Sequence, residues 1–557
     1  MDSKKNTLIQ ALSIALLLFL GFGAVPAHSQ VNIAPQWQEV ELVFEAVRDY
    51  QNPYTDVEMY VEFSGPNGRL IQRPAFWDGH QTWRVRFASP TASGVWNWRS
   101  ISSVTADSGL HGQSGSIDAA EYRGENPLLQ HGLLHMSPQG RNVVHADGTP
   151  FLMVGDTPWA LPFRGTDKTV TEYAKNRQAK GFNVALLMSL QPDRQIEGPR
   201  DRTVSGGFGV AFEDLPDGHL NNLNPDYFKT LDQLINILID HGIVPVYNPV
   251  FQGFGWKGGH TLGGHADPSE YSRYVRYLIA RYGARPAMWL VIADGYGNEP
   301  VAVPAGETVE QWDAYKQPTG THYSPYDDFQ PDWSDDPRFG FHFNRANQDQ
   351  EWLDFQWAQT GHNAEHHPHE VFRMYENVPT KAVANGEPTY ERIGAPDRAT
   401  GWWQGHEAWL NITSGGTMGV IYGAGGLWNW KLSPNEEGWA DWANTSASWD
   451  QSIAFEGSTF VGYLTRALSG LDLTDIERRP DLAYGARALA KEGELYIVYL
   501  PEGGPVSLGG IRQPLSYSWF NPKSGNWGST GNLESGSVAT LHSPDSNPWV
   551  LIAIKKE

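Results

Sequence analysis

The chain has 557 residues, a formal net charge of −22, 40% hydrophobic residues and no cysteine. That length exceeds the roughly 100–200 residues of a single domain, and the apolar share is enough for sizeable cores. The acidic balance excludes non-specific binding to nucleic acid or an anionic membrane surface, and the lack of cysteine excludes disulfides, thiolate metal sites and a lipid-attached N-terminal Cys.

Residues 1–29 read as a secretory signal peptide. Lys4 and Lys5 form a basic start, Ala11 to Leu20 is mostly apolar, and Ala27-His28-Ser29 is a small-x-small cleavage site. The apolar run is too short to span a bilayer. Gln30 would be the first mature residue, with a cut at Ala27 as the alternative. A secreted or periplasmic protein is expected, with no membrane contact after cleavage, since no later segment approaches transmembrane length.

Residues 30–125 predict a β-sandwich. Val57, Met59, Val61 and Phe63 alternate with Glu58, Tyr60 and Glu62; Trp83, Val85 and Phe87 alternate with Arg84 and Arg86. Period-two patterning buries one face of each strand. Gly65-Pro66-Asn67-Gly68 is a turn between two such runs.

Residues 126–465 change period. Phe151-Leu152-Met153-Val154 is the first apolar strand, followed by Gly155-Asp156-Thr157-Pro158-Trp159. Phe182 to Leu187 is the second. Tyr227, Leu231, Leu234, Ile235 and Leu238 share one helix face, and Val244 to Tyr247 is the third strand. Tyr271, Tyr274, Val275, Leu278, Ile279 and Tyr282 mark the next helix, and Met288 to Ile292 the fourth strand. The βαβα order implies right-handed crossovers and a parallel sheet. Closure into eight units fits the length, and no Gly-rich dinucleotide fingerprint supports an open doubly wound sheet. Asp156 is either a sugar-binding acid or a helix N-cap.

Two carboxylates stand where apolar runs stop. Asp294 ends Met288-Trp289-Leu290-Val291-Ile292-Ala293-Asp294, and Glu387 ends Lys381-Ala382-Val383-Ala384-Asn385-Gly386-Glu387. Strand ends of a parallel barrel converge on one face, and two convergent carboxyls suit glycoside hydrolysis, which needs a proton donor and a nucleophile or base. Asn298-Glu299-Pro300 is a rival for the acid, but Glu299 lies five residues beyond Asp294 on a loop; reach favours Asp294. His362, His366, His367 and His369, with Glu365 and Glu370, form either a polar loop or a metal site without a familiar spacing. Phe212-Glu213-Asp214 and Asp327-Asp328 lack the alternation of a calcium loop. Arg194, Arg200 and Arg202 are either a solvated loop or an anion cluster. No metal and no cofactor are expected.

Residues 466–557 return to strands, clearest in Glu494 to Leu500 and Trp549 to Ile554, with turns at Gly503-Gly504-Pro505 and Asn521 to Gly525. The fold class is therefore multidomain, α/β plus all-β: a (β/α)8 barrel flanked by N-terminal and C-terminal β-sandwiches.

Taken in order, these segments resemble the apiosidase-like family of barrel glycoside hydrolases. The resemblance rests on Gly155 to Trp159, Lys180-Gly181-Phe182-Asn183, Trp289 to Asp294, Trp352 to Gln356 with Gly361-His362, Asn385 to Pro388 with Tyr390-Glu391, and Gly419 to Gly423 with Leu427-Trp428. It implies a sandwich before the barrel and a smaller, collagen-binding-type sandwich after it. It also implies Asp294 as acid/base and Glu387 as nucleophile, in a retaining enzyme acting on a plant or algal polysaccharide or its oligosaccharides. The chain has Ile292-Ala293 where the family often has Gly-Gly. Candidate substrate contacts at strand ends are Asp156, Trp159, Gln191, His322, Gln356, His362, Tyr390, Trp402, Tyr422 and Trp428. Two alternatives stay open: a non-catalytic carbohydrate-binding or adhesion protein, and a polysaccharide lyase, for which no base with a uronate-neutralising partner is evident.

Overall fold

A computed structural model describes residues 33–195, 197–253, 261–263, 265–324, 345–394, 397–436, 445–536 and 538–556. The predicted signal peptide and Asp327-Asp328 lie outside the described residues. No helix among the described residues is long and apolar enough to cross a membrane.

The N-terminal part is a sandwich of two sheets. One has five strands, in the spatial order Ile33–Pro35, Ser114–Ala120, Gly94–Ser102, Met59–Ser64 and Leu70–Pro74; the other has three, Glu39–Glu45, Thr82–Ala88 and Phe76–Trp77. The alternation read from the sequence places Met59, Val61 and Phe63 opposite Trp83, Val85 and Phe87 in one core, with the Phe63 and Phe87 rings stacked at 4.2 Å between the sheets. Arg86, on the other face of its strand, is also buried. The outer face of the small sheet is covered by the barrel, so both faces of that strand lie in a core.

Eight parallel strands close the central barrel in chain order. We label them β1 (Met153–Asp156), β2 (Val184–Met188), β3 (Val244–Asn248), β4 (Met288–Gly295), β5 (Thr319–Tyr323), β6 (Phe355–Gln359), β7 (Ala382–Glu387) and β8 (Gly419–Tyr422). Closure is made by Met153 to Asp156 pairing with Gly419 to Tyr422. One boundary differs from the sequence reading. Phe151 belongs to a small antiparallel sheet below the barrel, paired with Val143, because Pro150 has no N–H for a ladder and suits an edge strand.

The helices show why the pattern was readable. Pro225–Asp240 starts with Asn224, whose side chain accepts from the Asp226 amide, and with Pro at the first turn. It buries Tyr227, Leu231, Leu234, Ile235 and Leu238, each worth about 1.5–3 kcal/mol on full burial. Pro268–Tyr282 is capped by Asp267 and is buried on two faces. Tyr271, Tyr274 and Leu278 pack into the barrel wall, whereas Tyr277 meets Tyr54 and Phe76 of the N-terminal part.

The C-terminal part has a six-stranded antiparallel sheet and a two-stranded one. Along Leu495–Leu500 the side chains divide between two cores: Leu495, Ile497 and Tyr499 join the barrel's core, while Tyr496, Val498 and Leu500 pack under the small sheet. A strand buried on both faces reads as a continuous apolar run, as the sequence does here.

Candidate active site

Both conspicuous carboxylates owe their aim to irregularities at the ends of their strands. In β4, Ala293 pairs with His322 and Gly295 with Tyr323, leaving Asp294 as an extra, bulged residue. Its φ is +58°, a left-handed conformation that Asp tolerates better than most residues but still at a cost of about 1–2 kcal/mol. The neighbours fix it there. Ala293 donates to Gln252 Oε1 at 2.8 Å, Asp294 N–H donates to His322 Nδ1 at 3.3 Å, and Ser324 Oγ donates to the Asp294 carbonyl at 2.8 Å. In β7, Asn385 pairs with Ala358 and Glu387 with Gln359, so Gly386 is the inserted residue. The Asn385 side-chain oxygen accepts the Glu387 amide at 3.2 Å, an Asx turn that ends the strand. Bulges re-aim side chains at barrel rims. Here they turn both carboxyls into the mouth of the barrel.

His322 on β5 sits between the two acids. Since Nδ1 accepts the Asp294 amide, the ring proton is on Nε2, which faces Glu387 Oε2 at 3.5 Å. Burial pushes the His322 pKa down, against the pull of the Glu387 charge. His362 Nε2 lies 3.0 Å from Glu387 Oε1. The Tyr390 hydroxyl accepts from Trp159 Nε1 at 2.8 Å and helps to lower the Glu387 pKa. One ligand-capable atom each of Asp294, His322 and Glu387 lies within 4.8 Å of the other two.

The electrostatics separate the two acids. Burial, followed by the charge of Glu387, raises the Asp294 pKa well above the carboxylate range, with the Gln359 hydrogen bond opposing. Burial also acts to raise Glu387, but the His362 hydrogen bond and charge, the His322 ring and the Tyr390 hydroxyl outweigh it and hold Glu387 below its ordinary value. Two carboxyls whose environments pull their pKa values apart can act as acid and nucleophile in one site.

A pocket of about 120 Å³ opens over this pair, lined by Asp294, Glu387, Gln359, His362, Tyr390, Trp159, Trp428, Met188, Phe251 and Ile393. Trp159, His362, Tyr390 and Trp428 of the sequence candidates thus meet at the pocket, with His322 directly behind the carboxyls. Five others lie elsewhere. Asp156 is fully buried in an ion pair with Arg177 and accepts the Thr157 amide; it braces β1 and the following helix. Tyr422 donates to Glu391 at 2.7 Å and is likewise internal. Gln356 donates toward the Met374 carbonyl at 3.5 Å, turned to the helix layer because the inward positions of β6 are Phe355, Trp357 and Gln359. Trp402 packs on Phe460, with Lys523 of the C-terminal part over its ring. Gln191 is buried beyond β2 and does not line the pocket.

Glu299 accepts the amides of Tyr296 and Gly297 at 2.5 and 2.8 Å. It closes its own loop. The sequence reading missed Gln359, Met188, Phe251 and Ile393. Gln359 was findable, since it shares the parity of Trp357 at the end of an apolar run.

The histidine loop is divided among several partners. His362 holds Glu387, His366 Nδ1 contacts Glu407 Oε2, and His367 Nε2 lies 3.5 Å from Glu365. His367, His369 and Glu370 have donor atoms within 4.8 Å of one another and could hold an ion; so could Asp294, His322 and Glu387. Asp214 accepts the amides of Asn221 and Asn222, and Glu213 pairs with Arg200 at 2.5 Å.

Comparison with known proteins agrees with this architecture. Residues 137–475 match the family model described as "Apiosidase-like, catalytic domain". Residues 33–103 match a domain of unknown function, and residues 480–554 a "Putative collagen-binding domain of a collagenase". A glycoside hydrolase family 5 structure from Bacteroides vulgatus superposes with a TM-score of 0.63 at 20% identity, over 78% of this chain and 95% of that one. A second structure from that organism, described as "a putative glycoside hydrolase", gives 0.67 at 16% identity, over 94% and 100%. At these identities the structural likeness is one of fold. No curated protein matches the chain. The catalytic-domain match makes the protein a barrel glycoside hydrolase. It belongs to the apiosidase-like family.

Proposed function

We propose that the protein is an exported, retaining glycosidase with Glu387 as nucleophile and Asp294 as acid/base, acting on a plant or algal polysaccharide or its oligosaccharides. The observation that carries the mechanism is the closeness of the pair: a carboxyl oxygen of each lies within 4.8 Å of the other. A retaining pair stands about 5–5.5 Å apart, whereas an inverting pair needs roughly 6.5–9.5 Å to admit water. Glu387 Oε1 is held by His362, while Oε2 makes no hydrogen bond within the protein, so Oε2 is the attacking atom. It bonds to the anomeric carbon as the bond to the leaving oxygen breaks, and Asp294 gives that oxygen its proton. Water then attacks the same carbon, returns a proton to Asp294 and frees Glu387.

The test starts with a panel of defined oligosaccharides and aryl glycosides, followed by the anomeric form of the first product by NMR. Retention is expected. Glu387→Ala should lose turnover and regain it with azide as external nucleophile. Asp294→Ala should fail on poor leaving groups and keep most activity on activated aryl glycosides. An inverted product, or a Glu299→Ala variant showing that leaving-group dependence in place of Asp294→Ala, would sink the assignment. Activity lost in EDTA and restored by zinc or calcium would give one of the two donor groups a metal. Export rests on the basic, apolar and small-residue order of residues 1–29; N-terminal sequencing of the mature protein should begin at Gln30.

A further inference from the structure

We infer that Glu407 and His366 form a positioning pair for the Glu387 backbone, and that the C-terminal sandwich braces this pair through Tyr499. The inference rests on Glu387 being the nucleophile. The chain of contacts begins at Asn385. Its side-chain oxygen must face the Glu387 amide, a donor, at 3.2 Å. That orientation points its Nδ2 at Thr360 Oγ1, 2.9 Å away, and at Glu407 Oε1, 3.3 Å away. Asp at this position would satisfy only the Glu387 amide, since it has no donor for Glu407.

Glu407 lies on the helix Trp402–Thr413 outside the barrel wall and is 1% exposed. Asn411 Nδ2 also donates to its Oε1 at 2.9 Å, and His366 Nδ1 meets its Oε2. A buried carboxylate is costly unless its lone pairs are matched; these donors match it and make it a fixed anchor for Asn385. His366 is itself fixed by two rings. It stacks on Trp403 at 4.4 Å and stands edge-on to His406 at 4.8 Å. His406 Nδ1 is 2.6 Å from the hydroxyl of Tyr499, in the strand Leu495–Leu500 of the C-terminal sheet. A continuous set of contacts therefore runs from the sandwich to the amide of the attacking residue. Small misplacement of a reacting group is expensive in rate, so this set acts on kcat.

The experiment uses the full chain and two readouts, kinetics on a substrate the wild type turns over and peptide-level hydrogen exchange over residues 385–391. Glu407→Ala should lower kcat by about tenfold or more with KM within about twofold, and should speed exchange over that segment. Glu407→Gln keeps an acceptor for Asn385 and Asn411 and presents an N–H that the other tautomer of the His366 ring can accept at Nδ1, and should restore both. His366→Ala, at a side chain 26% exposed, should act in the same direction and serves if Glu407→Ala does not fold. Tyr499→Phe should give a smaller change of the same sign. Unchanged exchange in Glu407→Ala, a kcat within twofold of wild type, or a Glu407→Gln variant as impaired as the alanine would overturn the pair's role. Wild-type exchange in Tyr499→Phe would overturn the sandwich's part. A wild type that turns over nothing in the panel counts against the glycosidase reading alone, because the exchange readout needs no substrate.

Discussion

Asp294 and Glu387 share a buried site, but Gln359 alone opposes the rise of the Asp294 pKa, whereas His362, His322 and Tyr390 together hold Glu387 down. Turnover should fall on the acid side as Glu387 gains a proton and on the alkaline side as Asp294 loses one. His362→Ala removes the strongest influence holding Glu387 down, so the acid limb of kcat/KM should move to higher pH; a limb that stays in place would remove His362 from that role. Stability carries the opposite sign for Asp294. Its folded pKa is raised, so the stability it contributes is present below its unfolded value and is lost as pH rises through the folded value. Asp294→Asn, which also tolerates the left-handed backbone, should therefore be more stable than wild type on the alkaline side, read by denaturant melts across pH. The sequence places Asp294, Glu387, Trp159, His362, Tyr390 and Trp428 at or just after strand ends, and the structure brings them to one pocket. The sequence could not separate these from Asp156 and Tyr422, whose buried partners Arg177 and Glu391 come from distant segments, nor from Gln356, which differs from Gln359 only in strand parity.

Strands, helices and turns were largely legible, because apolar periods of 2 and 3.6 follow from which face is buried. Boundaries were less so. The apolar run predicts a fourth strand over Met288 to Ile292, whereas pairing continues through Gly295, and bulges leave no periodic trace. Glycine at 386 is required by crowding. A Cβ there would stand 2.7 Å from His322 Cδ2 and 2.8 Å from Trp357 Cβ. Gly386→Ala should cost about 1–3 kcal/mol of stability and lower kcat further by displacing His322. Wild-type melting and turnover in that variant would show that β7 gives way without effect on the site.

The N-terminal sandwich and barrel are joined by charges as well as apolar rings. Asp232 on the helix Pro225–Asp240 is paired with Arg86 at 2.5 Å and with Arg281 at 2.9 Å, and Arg281 reaches Asp78 at 3.0 Å. Burial would raise the Asp232 pKa, but the two arginines hold it far below the usual carboxylate range. The stability this carboxylate supplies is present above its unfolded pKa and fades as pH falls through the folded one. Asp232→Ala leaves two buried guanidinium groups short of a partner and should cost about 3–5 kcal/mol, read by denaturant melts at neutral pH. Limited proteolysis should not release a stable barrel without its flanking sheets; such a fragment would show the interfaces to be dispensable. From sequence, Arg86 reads as a solvent-facing residue, because a single strand carries no sign that a second layer covers its outer face.

The strand-end bulges have a consequence for reading genes. Ala293 and Gly386 occupy inward positions, so in an unbroken pleat the next residue would face the helices. Loss of the single codon for residue 386 would leave both proposed catalytic acids encoded and in order. It would also move Glu387 into a place with no room for a Cβ, against His322 and Trp357. A gene copy with that three-nucleotide gap should yield a protein without turnover, although a motif scan would pass it as intact.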